Sequence, residues 1–328
     1  MKLREFYNLA VRFGIDRDPR ARRIIQKDLA GVKKSYRKLK SRDKALFDRE
    51  AFVNPYADTR ILNGPTDRQA RRIMVGIDIE ASEILLADRL NSVSPIDLVV
   101  GHHPEGRAWA NFYEVMRLQE AVLEKLGIAK DVAHEALDKR IKEVERKVAP
   151  HNHMRAVDAA RLLGIPLICV HTPADNHVAA YLQKCFDLRR PKKLADALDL
   201  LKGFPEYKDA SKNGAGPKII LGKPENPAGK VFVDMTGGTE GAKEIFPRLS
   251  QAGVRTIVAM HLSEEHFAKI KDEHLNVVIA GHIASDTLGL NLLLDRIEKR
   301  QGFRFEVIEC SGFRRFRRSN EATTYGTK

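Results

Sequence analysis

IMVGIDIEASEILLADRLNSVSPIDLVVGHH (residues 73–103) reads as strand, helix and strand again. IMVGI (73–77) and IDLVVG (96–101) are short runs apolar on both faces, as strands covered on both sides require, and EASEILLADRL between them has helical length. Such a βαβ unit predicts a mostly parallel sheet sandwiched by helices. Outward from it the pattern repeats: IPLICVH (165–171), KIILG (218–222), KVFVDM (230–235), TIVAM (256–260) and VVIAG (277–281) are strand-like, and the helical LNLLLDRIEKR and an edge-like strand FRFEVIEC close the chain. The expected class is α/β, with sheets flanked by helices.

Two segments stand apart from this alternation. Residues 1–72 carry 20 Lys and Arg against 9 Asp and Glu, so most of the formal charge of +13 lies there, and Ile24, Ile25, Leu29, Val32, Tyr36 and Leu39 recur at helical spacing. We read 1–72 as a basic helical extension, with NPYADTRILNGPTD (54–67) as its linker and a boundary near Arg72. Residues 112–147 are charged and helical without strand character, an inserted helical hairpin within a core spanning 73–318. The last residues, 319–328, read as a disordered tail.

Composition excludes several classes. The chain has 43% hydrophobic and 31% charged residues and no apolar run near the ~18–20 residues of a membrane helix, so no membrane partner is expected. Its start lacks a secretory h-region, and Cys169, Cys185 and Cys310 are odd in number and far apart, which predicts a cytoplasmic chain with buried thiols rather than a disulfide scaffold or thiolate zinc site. GKPENPAGK (222–230) reads as a hairpin loop without P-loop spacing. TGGTEGAKEI (236–245) fits a tight strand-to-helix turn better than a phosphate cradle. His151 and His153 open a helix, and His266 and His274 are expected in solvent.

Three apolar runs end in metal-capable side chains: DLVVG in His102 and His103, LICV in His171 and then Asp175, VVIAG in His282 and then Asp286. Parallel strands present their carboxyl ends on one edge, where ligands bind, so the three endings can converge. Adjacent histidines on an extended backbone point to opposite sides and can each serve a different ion, whereas His282 and Asp286, four apart, share one helix face. Imidazoles with carboxylates suit Zn, Mn, Fe or Ni, and several of each can hold two divalent metal ions bridged by a carboxylate.

The blocks VGIDIEASEILLADRLN (75–91), DLVVGHHPEG (97–106), VHTPADN (170–176), DMTGGTEG (234–241) and VVIAGHIASD (277–286) resemble, in order, the signature segments of the Nif-three-like family, the GTP cyclohydrolase I type 2 homologues. The resemblance spans 73–311. It implies a two-lobed core, a dinuclear metal centre at His102, His103, Asp175, His282 and Asp286, a homo-oligomer of the toroidal hexamer kind, and metal-dependent hydrolysis. Three positions depart from the family: Asp286 where glutamate is usual, Met260-His261 where glycine and an acidic residue are usual, and Glu105 where an apolar residue is common.

The expected function is hydrolysis by a two-metal-activated water with His171 or His261 as proton shuttle, on a nucleotide-like, phosphoester, amide or cyclic-amidine substrate. The rival is a non-catalytic, metal-stabilised scaffold or ring that contacts nucleic acid or protein through its basic ends.

Overall fold

The computed structural model describes residues 1–318; the expected disordered tail lies outside the described residues. Among the described residues nine strands form two sheets: β1 Thr59–Asn63, β2 Arg72–Gly76, β3 Leu98–Gly101, β4 Leu167–Val170 and β9 Glu306–Cys310 in the order β1-β4-β3-β2-β9, and β5 Lys218–Leu221, β6 Lys230–Asp234, β7 Val254–Ala259 and β8 Asn276–Ile279 in the order β5-β8-β7-β6. Each sheet is parallel except for one antiparallel edge strand, β1 on β4 and β5 on β8. The α/β class with mixed sheets flanked by helices is what the alternation of the sequence predicts. β3 and β4 are buried throughout, which is why they read as continuous apolar runs.

Helices cover both faces of both sheets. The Ala81–Asn91 and Arg155–Leu162 helices pack Ile84, Ala87 and Ala160 against Met74, Val99 and Leu167 of the first sheet. Two long helices lie between the sheets and bind them into one body. The Thr172–Arg189 helix and the His282–Gln301 helix each contribute to the core of the first sheet, through Ala174, Leu290 and Leu294, and to that of the second, through Val178, Leu182 and Leu288. They touch closely because Gly289 has no side chain: a Cβ there would lie 2.5 Å from the carbonyl oxygen of Ala174. No helix among the described residues is long and apolar enough to cross a membrane.

The structure departs from the sequence reading in three places. Helix Leu3–Ile15 is no extension, since Leu3, Phe6, Tyr7, Ala10 and Phe13 are buried in the core of the first sheet. The segment read as a linker supplies β1, so the sheet reaches back across the boundary placed near Arg72. GKPENPAGK is not a hairpin loop: β5 and β6 are opposite edges of their sheet, with β8 and β7 between them. Residues 112–147 are helical as expected, and their apolar face, including Leu123, Leu137 and Ile141, packs on Phe232, Ile257 and Val277 of the second sheet.

The C-terminal basic cluster is neutralised internally. Arg315 reaches Asp295 at 2.5 Å and Glu298 at 3.0 Å, and Arg318 donates to both oxygens of Glu206 at 2.8 and 2.9 Å.

Candidate metal centre

Strand ends deliver the first donors. Beyond β3 the amides of His102 and His103 donate to the Ile77 carbonyl at 3.2 and 2.9 Å, and that of His102 also to Gly76 at 3.0 Å, so the backbone of the paired histidines is held against the end of β2. Beyond β4, His171 caps the Thr172–Arg189 helix and Asp175 lies in its first turn. Beyond β8, Gly281 at φ 106° turns the chain into the helix that begins at His282, a conformation L side chains rarely adopt. A Cβ on Gly281 would also approach the Ala215 carbonyl to 2.9 Å.

These endings converge. His102 Nε2 lies 3.3 Å from Asp175 Oδ1 and 3.4 Å from Asp286 Oδ1. The other oxygen of Asp286 faces His103 Nε2 at 3.4 Å and His282 Nε2 at 3.5 Å, and His171 Nε2 lies 3.6 Å from Asp175 Oδ2. Asp286 thus turns one oxygen to each of two donor groups, His102 with Asp175 and His103 with His282. His171 joins His102 and His103 in a third group whose ring nitrogens lie within 4.8 Å of one another. The five residues read as metal donors are therefore neighbours, with His171 among them and His261 beside them, its ring 4.8 Å from that of His282.

The tautomers are set from behind. His102 Nδ1 meets the Val170 carbonyl at 3.2 Å, His103 Nδ1 meets Asp78 at 2.6 Å, and His171 Nδ1 meets Asp58 at 2.9 Å. A carbonyl or carboxylate oxygen only accepts, so each Nδ1 carries a proton and each Nε2 is the nitrogen left to face the centre. Carboxylate-braced imidazoles of this kind are how proteins orient metal ligands. Asp58 is itself fixed by the Thr172 hydroxyl at 2.6 Å.

The inward atoms are left without partners. His102 Nε2, Asp175 Oδ1 and both carboxylate oxygens of Asp286 are buried and accept or donate no hydrogen bond. Buried polar atoms in that state cost about 1–3 kcal/mol each, more when charged, so four in one place mark a site for a ligand that is itself charged. The donor set fits a divalent cation. Without one, burial works against a charged His102, but Asp286 and Asp175 overcome it and hold the imidazole up at about 10; His103, opposed by burial and favoured by Asp286 and Asp78, stands at about 9. Burial opposes ionisation of Asp286, yet the imidazoles around it hold its carboxyl well below the usual carboxylate range. Burial lowers His282.

A second set of polar groups flanks the donors. Glu240 accepts from the Ser263 amide at 2.6 Å and lies 3.4 Å from His261 Nδ1; against the cost of burial, His261 and Ser263 bring its carboxyl down to about 2, and Glu240 raises His261. His266, expected in solvent, is buried, hydrogen-bonded to the Ser263 hydroxyl at 2.7 Å and the Gly241 carbonyl at 2.9 Å. His151 and His153 pack on Trp109, outside the donor groups. The glycine-rich turn is held by Gln119, whose amide donates to the carbonyls of Gly237 and Thr239 at 3.0 and 2.7 Å. Cys169 is buried, and burial pushes its thiol up to about 12, which leaves it without thiolate chemistry. The sequence reading missed Asp58, Asp78 and Glu240. Asp78 follows β2 by two residues and carried the same strand-end signal; Asp58 was hidden in the turn-rich stretch read as a linker.

Eleven solved chains match this one. A NIF3 superfamily protein from Sphaerobacter thermophilus is 28% identical, with a TM-score of 0.67 over 78% of this chain and 92% of that one. HcgD from Methanocaldococcus jannaschii in its reduced form is 15% identical, with a TM-score of 0.45 over 87% of this chain and 96% of that one. A Bacillus cereus protein related to NIF3 is 11% identical, with a TM-score of 0.39 over 77% and 89%. No family model and no curated protein matches the chain.

Proposed function

We propose, on the premise that the chain is NIF3-like, that it is a metal-dependent hydrolase in which His102, His103, Asp175, His282 and Asp286 would hold two divalent ions, its substrate a nucleotide or phosphoester. The observation that carries this reading is the group of four buried, unpartnered donor atoms on His102, Asp175 and Asp286. Ions held by this set would supply a water acidified toward about 7 and a charge that polarises an electrophile. The chain's own residues supply the rest. Asp58 and Asp78 hold His171 and His103 in one tautomer and one ring orientation. His261, half-exposed beside His282 and charge-paired with Glu240, is placed to carry a proton between the site and solvent, and His171 is the alternative carrier.

Elemental analysis of chelator-free protein beside a His102→Ala/His282→Ala variant tests the reading. About two ions per chain in the parent and a clear loss in the variant are expected, followed by turnover in a nucleotide and phosphodiesterase screen. A parent that stays free of Zn, Mn, Fe and Ni after supplementation sinks it. Assembly into a homo-oligomeric ring belongs to the same reading, and sedimentation velocity measures it.

A second reading has its own observation. The Arg22–Lys38 helix carries seven Lys and Arg against one Asp, and it is exposed apart from Ile25 and a few half-buried positions. Such a face suits a polyanion, and binding of nucleic acid by it has a steep salt dependence. Reversing Lys27, Lys33, Lys34 and Lys38 to Glu is expected to abolish salt-dependent duplex binding while sparing hydrolysis. Deleting the whole segment is a poorer test, because Leu3–Ile15 belongs to the core.

A further inference from the structure

A cavity of about 390 Å³ lies between the helical insertion, the Thr172–Arg189 helix and the end of β6. Leu123, Leu126 and Leu137 of the insertion line it, together with Phe232, Phe246 and Leu249. Its volume falls within the roughly 300–1,000 Å³ range of pockets that enclose small molecules. The side-chain amides on its walls are committed to the protein: the Asn176 amide oxygen accepts from the Thr236 hydroxyl at 2.6 Å, the Gln119 amide is spent on the glycine-rich turn, and the Gln183 amide oxygen accepts from the Val233 amide at 2.9 Å. What remains for an occupant is a largely apolar surface, with the charged side chains of Arg17, Lys125 and Asp234 also on the lining.

The cavity adjoins the metal donors. Asp234, Thr236 and Phe246 line it and also line a smaller cavity bounded by His171, Asp175 and Asp286. Asn176, on its wall, directly follows Asp175 in the chain. We propose that this cavity is a second ligand subsite, which takes the apolar body of an amphiphilic molecule whose anionic head lies at the metal donors. The insertion is then what selects the ligand: its three leucines supply the wall that makes the subsite apolar. The head-group half of this inference rests on the metal reading above; the apolar half does not.

Calorimetry on the full chain separates the two. The probes are 1-naphthol for the body, inorganic phosphate for the head, and 1-naphthylmethylphosphonate for both at once. The parent is expected to bind 1-naphthol equally well when ion-loaded and when chelator-treated, phosphate only when ion-loaded, and the joined probe at least tenfold more tightly than either part when ion-loaded. Ala180→Phe on the Thr172–Arg189 helix and Val122→Phe on the insertion, both on the lining, are expected to weaken 1-naphthol at least tenfold and to leave phosphate binding unchanged. Leu126→Ala, which enlarges the cavity, keeps 1-naphthol and guards against a loss caused by misfolding. A parent that does not bind 1-naphthol, or filled variants that bind it as well as the parent, overturns the subsite. If phosphate fails to bind while 1-naphthol behaves as expected, the metal reading falls and the apolar half of the inference stands. A joined probe no tighter than its parts breaks the link between cavity and centre.

Discussion

The His282–Gln301 helix carries two buried ionic clusters with opposite fates. At its start, Asp286 stands among His102, His103 and His282 with neither oxygen hydrogen-bonded. Further along, Asp295 and Glu298 meet Arg315, and Asn291 accepts a hydrogen bond from Arg315 at 3.1 Å and donates one to the Arg314 carbonyl at 2.9 Å. The second cluster closes on the protein at every group but the buried Arg315 Nε, and it staples the C-terminal segment to the helix. The first is left open, and it is the one surrounded by groups that ligate metals. Leaving buried charged atoms without hydrogen bonds is costly, and the open cluster at the meeting of three strand ends is the one whose donors could hold an ion.

Breaking the closed cluster has the largest expected effect. Arg315→Ala leaves Glu298 with Arg317 and the Phe305 amide, and Asp295 with only the Arg318 amide, so urea denaturation is expected to show a loss of about 3 kcal/mol, the lower end of the range for breaking a buried pair. That loss is expected to be the same with ions and with chelator, and a dependence on ions would mean that the clusters are coupled. Asp286→Asn acts the other way: it is expected to remove the stabilisation that ions give the parent, about 2.7 kcal/mol when their concentration is a hundred times the dissociation constant. If ions still raise the melting temperature of that variant as much as the parent's, Asp286 is no ligand.

Smaller effects sharpen the contrast. Asp58→Asn and Asp78→Asn are expected to weaken ion binding by about 10–100-fold each, measured by competition with a metal indicator, since bracing partners orient ligands without touching the ion. The pH response is the smallest. In chelator-treated protein, His102 and His103 stand above the ordinary histidine value, so what their protonated forms contribute is fully present below about pH 6.5 and is lost as pH rises through about 9 and 10. Asp286, held low, contributes above the usual carboxylate range and loses that contribution only in acid. Thermal melts of the chelated protein from pH 7 to 8 are expected to show a decline of about 1 kcal/mol for each of the two histidines, and ion loading is expected to reverse its sense because ligation releases protons. A flat or rising profile in the chelated protein counts against the ion pairing described for His102.

Much of the centre was legible because its signals are local. An apolar run that ends in a histidine is visible in LVVGHH, LICVH and VVIAGH, and the four-residue spacing of His171 with Asp175 and His282 with Asp286 follows from helix geometry. The bracing carboxylate Asp58 was not legible, since it reaches His171 across 113 residues of sequence and sits in a stretch whose prolines and turn formers hide a five-residue strand. His266 misled for a related reason: a charged helix predicts solvent, and only the packing of that helix against the glycine-rich turn buries it.

The basic ends draw the same line. By sequence alone FRRFRR and the Arg22–Lys38 segment are alike, runs of cations near a terminus. The fold places Glu206, Asp295 and Glu298 against the first and leaves the second in solvent. What the sequence by itself determined is whatever depends on neighbours a few residues apart: the α/β class, the strand ends and their ligand types. Only the tertiary structure decided sheet order, the membership of Leu3–Ile15 in the core and which charges are spent, because each depends on surfaces that meet across long stretches of chain.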